Sequence, residues 1–111
     1  MHNTTICFFQ VVKGVEDCLY LNVFTPVQAL NETSDDNGKR RAVMVWFHGG
    51  GFFAGSGNPH FYGPDLFMDY DVVFVSFNYR LGPLSFFTLE NDIAPGNLGL
   101  RDQVGTPAIF D

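Results

Sequence analysis

Basic residues are scarce in this chain: Lys and Arg together number six against 12 Asp and Glu, for a formal net charge of −6. Nucleic acids and anionic bilayers are held by clustered Lys and Arg, so neither is an expected partner. The one cluster, Lys39-Arg40-Arg41, reads as a solvated segment leading into a strand. No window approaches the ~20 consecutive apolar residues of a membrane-spanning helix. The opening Met1-His2-Asn3-Thr4-Thr5-Ile6-Cys7 lacks a basic region followed by an apolar core, so no signal peptide is expected there. Nor is an apolar stripe at helical spacing sustained over the roughly eleven residues that identify an amphipathic helix. Repeats, low-complexity tracts and linkers are missing too, which leaves a single unit; no metal or other cofactor is expected.

Cysteine is sparse as well, with Cys7 and Cys18 alone. They stand beside two N-glycosylation acceptor patterns, Asn3-Thr4-Thr5 and Asn31-Glu32-Thr33, and both features suit an oxidising, secretory environment. That conflicts with the missing signal, and composition alone decides neither way. A chain lacking its true beginning removes the conflict.

What is present is a core. At 111 residues and 46% apolar content the chain has the makings of one ordinary domain. Its centre is Ala42-Val43-Met44-Val45-Trp46-Phe47-His48-Gly49-Gly50-Gly51-Phe52-Phe53, where an uncharged run passes directly into three consecutive glycines. Continuous apolar runs are the pattern of parallel strands covered on both faces, and glycine is used where backbone turns tightly or approaches a ligand. Residues 42–47 are therefore expected as such a strand. The loop of bare backbone behind it can aim several N–H groups at one point, as an oxyanion hole requires, and a His-Gly-Gly-Gly loop after a strand is the arrangement of lipases and esterases.

Around this centre, residues 19–24 alternate Leu19, Leu21 and Val23 with Tyr20, Asn22 and Phe24 and predict a half-buried strand ended by Thr25-Pro26. Residues 31–41 carry no large apolar side chain and predict an exposed turn, on which Asn31 is placed for a glycan. Residues 52–62 have no period and read as loop; Pro64 opens one or two helical turns. Val72-Val73-Phe74-Val75-Ser76-Phe77 predicts a second strand buried on both faces. Asn97 is placed to cap a short helix over 98–104, with Gly105 and Pro107 ending it.

Taken together, Glu16-Asp17-Cys18-Leu19-Tyr20-Leu21-Asn22-Val23-Phe24-Thr25-Pro26, Val45-Trp46-Phe47-His48-Gly49-Gly50-Gly51-Phe52, Asn78-Tyr79-Arg80-Leu81-Gly82 and Pro95-Gly96-Asn97-Leu98-Gly99-Leu100-Arg101-Asp102-Gln103 resemble the type-B carboxylesterases, the family of the cholinesterases and many insect esterases. The resemblance implies the N-terminal part of an α/β-hydrolase fold, incomplete, over residues 1–104, with a divergent tail at 105–111. It implies that Gly50 and Gly51 donate to the oxyanion of an ester under attack, that His48 and Gly49 complete that motif with His48 structural, and that Cys7 pairs with Cys18. A ring of that size contributes about 3 kcal/mol in the chain-entropy model. With the acceptor patterns at Asn3 and Asn31, it also implies a parent protein of the secretory pathway, acting on a small carboxylic ester.

The chemistry is half supplied. An α/β-hydrolase takes its nucleophile from a Gly-x-Ser-x-Gly elbow, followed by an acid and a late histidine. Ser34, Ser56, Ser76 and Ser85 all lack glycines two residues to either side, Ser56 reads as loop, and His2 and His60 read as surface residues. The expectation is a serine-esterase fragment with an oxyanion hole and no triad, inactive alone; the alternative is a fragment of a non-catalytic, cholinesterase-like adhesion protein. In the resembled fold the serine strand pairs beside the strand leading into His48, so an exposed sheet edge that promotes association is expected here.

Overall fold

A computed structural model describes residues 7–8, 11–12, 14–27 and 40–106. A short antiparallel hairpin, β1 (Cys7–Phe8) with β2 (Val11–Val12), precedes the main sheet and was not foreseen. That sheet contains β3 (Leu21–Phe24), β4 (Val43–Trp46) and β5 (Val73–Phe77) in the order β3-β5-β4. The last strand in sequence is thus the central one, antiparallel to β3 (Val23 opposite Val75) and parallel to β4 (Val45 opposite Val75). All three lie where the apolar runs put them, trimmed at their ends.

The core gathers around β5: Phe74, Val75, Phe77 and Tyr79 are buried. Successive side chains of a strand point to opposite faces. Phe74 stacks on Phe67 at 5.0 Å between ring centroids and meets Phe24 at 6.2 Å, whereas Phe77 takes Phe47 edge-on at 5.1 Å. The segment over 52–68 covers the Phe74 face. It is irregular as expected, and the stretch after Pro64 forms hydrogen-bonded turns (Phe67 and Met68 N–H to the Pro64 carbonyl) instead of a helix.

One expectation about burial is corrected, and the half-buried reading of β3 holds. In β4, Val43, Met44 and Trp46 are more than 40% exposed, so this strand is not covered on both faces as its composition implied. In β3 the aliphatic face is the more exposed one, with Leu21 and Val23 outward, while Asn22 and Phe24 turn toward the loop. Asn22 is drawn in by hydrogen bonds: its Nδ2 donates to the Gly57 carbonyl at 3.1 Å and to Ser76 Oγ at 3.3 Å.

Two short helices follow, α1 (Pro83–Phe86) and α2 (Leu98–Gly105), packed on each other so tightly that a Cβ at Gly99 would lie 2.1 Å from Ser85 Oγ. Asn97 does precede α2, but in the left-handed region (φ 54°) and with no side-chain cap bond; it turns the chain instead of capping the helix. The helix ends at Gly105, where the Thr106 N–H and hydroxyl both donate to the Asp102 carbonyl. Among the described residues no helix is long and apolar enough to cross a membrane.

Candidate active site

The glycine loop leaves the end of β4 as a tight, closed turn. Phe53 and Ala54 N–H both donate to the Gly50 carbonyl, at 3.0 and 3.2 Å. Closure demands unusual backbone: Gly50 has φ 127° and Gly51 φ 60°, and a Cβ at Gly50 would lie 1.7 Å from the Ala54 oxygen. Only glycine fits there, which is the physical content of the sequence motif at that position. Among the described residues the Gly50 and Gly51 N–H groups have no acceptor, and both residues are exposed. Phe52 follows in the left-handed region too (φ 64°), a rare state for a bulky side chain, braced edge-on by Tyr79 at 5.9 Å and Phe86 at 5.2 Å.

His48 lies beneath the loop, 3% exposed. Its ring stacks on Tyr79 at 4.3 Å, and its Nδ1 donates to the Gly49 carbonyl at 3.0 Å. A carbonyl only accepts, so the proton is assigned to Nδ1 and Nε2 is left a bare, buried acceptor with no partner among the described residues. Burial lowers the His48 pKa and outweighs the opposing Gly49 contact, so the ring is neutral at pH 7. Gly55 closes the other side: at φ 127° a Cβ there would sit 2.2 Å from His48 Nδ1. His48 is thus closely packed between Tyr79 and the Gly55 backbone.

The support beneath comes from the end of β5. Tyr79 donates its hydroxyl to the His48 carbonyl at 2.6 Å. Burial raises the Tyr79 pKa, the Tyr62 phenol adding to it, so the hydroxyl keeps its proton. Asn78 accepts the Gly57 N–H at 2.8 Å and donates to the Cys18 carbonyl at 2.9 Å, while Ser76 Oγ donates to the Gly57 carbonyl. Arg80 grips Asp102 of α2 through two side-chain bonds (2.8 and 2.6 Å) and its own N–H (3.1 Å). The roles of Asn22, Ser76, Asn78 and Tyr79 were not anticipated. A polar residue at the end of a buried apolar run was the available signal, since such side chains bond nearby backbone.

Of the remaining candidates, Ser56 is buried and its Oγ accepts the Asn58 N–H, a turn role and not a nucleophile's. Ser85 is wholly buried in α1, and its Oγ has no partner among the described residues. The exposed His60 donates its N–H to Asn58 Oδ1, as a surface loop residue does. The Cys7–Cys18 disulfide that the resemblance implies is not seen among the described residues, where Cys18 is a free thiol. Burial, then the nearby Asp102 and Asp17 carboxylates, raise the Cys18 pKa and keep it protonated. Asn3, Asn31 and His2 lie outside the described residues. Beside His48, a cleft of about 570 Å³ opens between Cys18, Tyr79, Leu84 and Leu98.

A mixed sheet whose parallel strand runs into a glycine loop at its C-terminal end is the opening portion of an α/β-hydrolase. Solved structures agree: the juvenile hormone esterase from Manduca sexta, with OTFP covalently attached, superimposes with a TM-score of 0.71 at 38% identity, over 86% of this chain and 17% of that one. The profile of the Carboxylesterase family matches residues 2–106, and the chain belongs to that family. It is 50% identical over 93 residues to the juvenile hormone esterase of Tribolium castaneum and 46% identical over 92 residues to venom carboxylesterase-6 of Apis mellifera. These alignments cover 84% and 83% of this chain, which spans 15% of the length of either relative.

Proposed function

We propose that the chain supplies the oxyanion hole of a serine carboxylic ester hydrolase, with Gly50 and Gly51 as donors, and that it turns over no ester by itself. The observation that carries this reading is the backbone of the glycine loop: two adjacent N–H groups without acceptors among the described residues, in positive-φ conformations that favour glycine, at the end of a parallel strand. As a serine oxygen attacks the ester carbonyl, that oxygen gains negative charge, and donors already in place stabilise it without reorganisation. Loss of one such donor typically costs about 3 kcal/mol of transition-state stabilisation. Collapse of that oxyanion expels the alcohol and leaves an acyl-serine, which water then hydrolyses to release the acid. His48, buried and neutral, holds the loop and exchanges no proton.

The nucleophile, the acid and the general-base histidine are not within these 111 residues. The partial esterase domain spans residues 1–104, followed by a tail of divergent sequence at 105–111; the partner is a small carboxylic ester bound by the longer protein. That protein passes through the secretory pathway, a reading supported by the acceptor patterns at Asn3 and Asn31 and by a relative named for venom. A chromogenic short-chain ester tests the activity claim. The chain alone gives no turnover above a heat-treated control. Turnover that survives purification and is blocked by an organophosphate overturns it.

A further inference from the structure

The glycine loop is fastened at both ends by one short segment. On one side the Tyr79 hydroxyl donates to the carbonyl of His48, the residue before Gly49. On the other the Gly82 N–H donates to the carbonyl of Phe52, the residue after Gly51, at 2.6 Å. Between these anchors lie the three glycines and nothing else. The segment itself is immobilised by Arg80, whose guanidinium and N–H all reach Asp102. Tyr79 adds ring contacts, stacked on His48 and edge-on to Phe52.

Glycine has the widest backbone freedom of any residue, and a run of three does not hold two N–H vectors by its own sterics. Bonds within the loop hold the two donor peptides, His48 Nδ1 on the Gly49 carbonyl and the Phe53 and Ala54 N–H groups on the Gly50 carbonyl, but the placement of the loop as a whole must be set from outside it. We infer that Tyr79 is a positioning residue for the oxyanion donors: its hydroxyl, acting with the Gly82 N–H as a two-point clamp, fixes the flanking His48–Gly49 and Phe52–Phe53 peptides, between which the Gly50 and Gly51 N–H groups are presented. The inference rests on the reading of those glycines as donors and adds the device that aims them. The Arg80–Asp102 pair ties the clamp to α2, so the aim of the loop depends on that helix as well.

Tyr79→Phe separates the clamp from simple packing, because it keeps the ring and deletes only the hydroxyl. Amide hydrogen exchange in the 111-residue chain is the measurement, read at Phe53 and Ala54, which donate to the Gly50 carbonyl, and at Gly82, with the β5 ladder amides as reference. The expected result is exchange about tenfold faster at those three amides and unchanged in β5, the size set by one lost hydrogen bond to local opening. The Gly49 amide nitrogen resonance, whose peptide carbonyl is the His48 oxygen, shifts with it. Tyr79→Leu, which also loses the ring, accelerates β5 as well. Exchange unchanged in Tyr79→Phe, or raised equally in β5, overturns the clamp. The readout needs no ester turnover, so a silent Tyr79→Phe leaves the esterase reading standing, and organophosphate-sensitive turnover by the chain alone leaves the clamp standing.

Discussion

Alanine placed in turn at the three motif glycines gives a graded series, ordered by backbone geometry and not by chemistry. Gly49 has ordinary φ and open space around its missing Cβ. There Gly49→Ala restricts only the unfolded chain and stabilises by about 0.5 kcal/mol. Gly51 is equally open, with no atom nearer than 3.9 Å, but its φ of 60° is left-handed. An L-residue in that region costs about 1–2 kcal/mol, and the unfolded-state gain offsets part of it, for a net loss of about 1 kcal/mol. Gly50 carries both penalties: φ 127° and a Cβ 1.7 Å from the Ala54 oxygen. That oxygen is backbone and cannot rotate away, so the turn opens and the bonds from Phe53 and Ala54 to the Gly50 carbonyl go with it; the loss is upward of about 3 kcal/mol. Urea unfolding followed by the fluorescence of Trp46, which lies 5.4 Å from the Tyr62 ring, measures all three. Midpoints ranked Gly49→Ala above wild type, Gly51→Ala below it and Gly50→Ala lowest are expected. Equal effects at Gly49 and Gly50, or a neutral Gly50→Ala, refute the reasoning, for then the loop is not held in the closed turn.

Ser85→Ala removes a buried hydroxyl that has no partner among the described residues and is expected to stabilise the chain by about 1 kcal/mol, read as a higher thermal midpoint; a lower midpoint means the Oγ is bonded after all. Acidification is expected to destabilise the chain in two stages. His48 has a folded pKa below its unfolded value, so its stability is present above about pH 6.5 and is lost as pH falls below that. For Asp102, burial pushes the carboxyl up but the Arg80 hydrogen bonds outweigh it and hold it below the usual range; that stability is present above about pH 3.9 and lost as pH falls through the folded pKa. Asp102→Asn removes the lower stage only, as acid titration of the far-ultraviolet dichroism shows. Because Arg80 remains about a third exposed and solvent screens the pair, Asp102→Ala costs about 1–3 kcal/mol, not the larger sum of its bonds. The outer edge of β4, with Met44 and Trp46 exposed beside it, is expected to make the purified chain self-associate in size-exclusion chromatography. A monomer with a cooperative thermal transition is the opposing result.

The positions of β3, β4 and β5 were readable from side chains alone, because β-branched and aromatic runs have few other uses. So was the need for glycine at 50, where backbone approaches backbone. Burial was not readable: Val43 and Met44 have the composition of a covered strand, but covering depends on what packs above them, which local sequence does not record. Hydrogen bonds misled in the same way. Leu21 and Val23 have the larger transfer energy, yet Asn22 faces the loop because the Gly57 carbonyl and Ser76 hydroxyl wait there for a donor. Asn97 is a common capping residue, but it tolerates the left-handed region as well, and here that second property is the one used. Tyr79 stood in plain view within Asn78-Tyr79-Arg80; that its hydroxyl reaches the His48 carbonyl is a long-range contact that no spacing rule contains.

The strand order bears on how the chain comes into being. Among the described residues its two outer strands, β3 and β4, do not pair with each other; each pairs with β5, so Leu21 finds its partner in Phe77 and Val43 in Val73. During synthesis both are made well before β5, and until Val73–Phe77 has left the ribosome neither has a partner in this sheet. Sheet formation is therefore a late, all-at-once event with long loops to close, slow by the measure of contact order. In that interval the apolar edge segments stand open, and early contact with a chaperone would shield them.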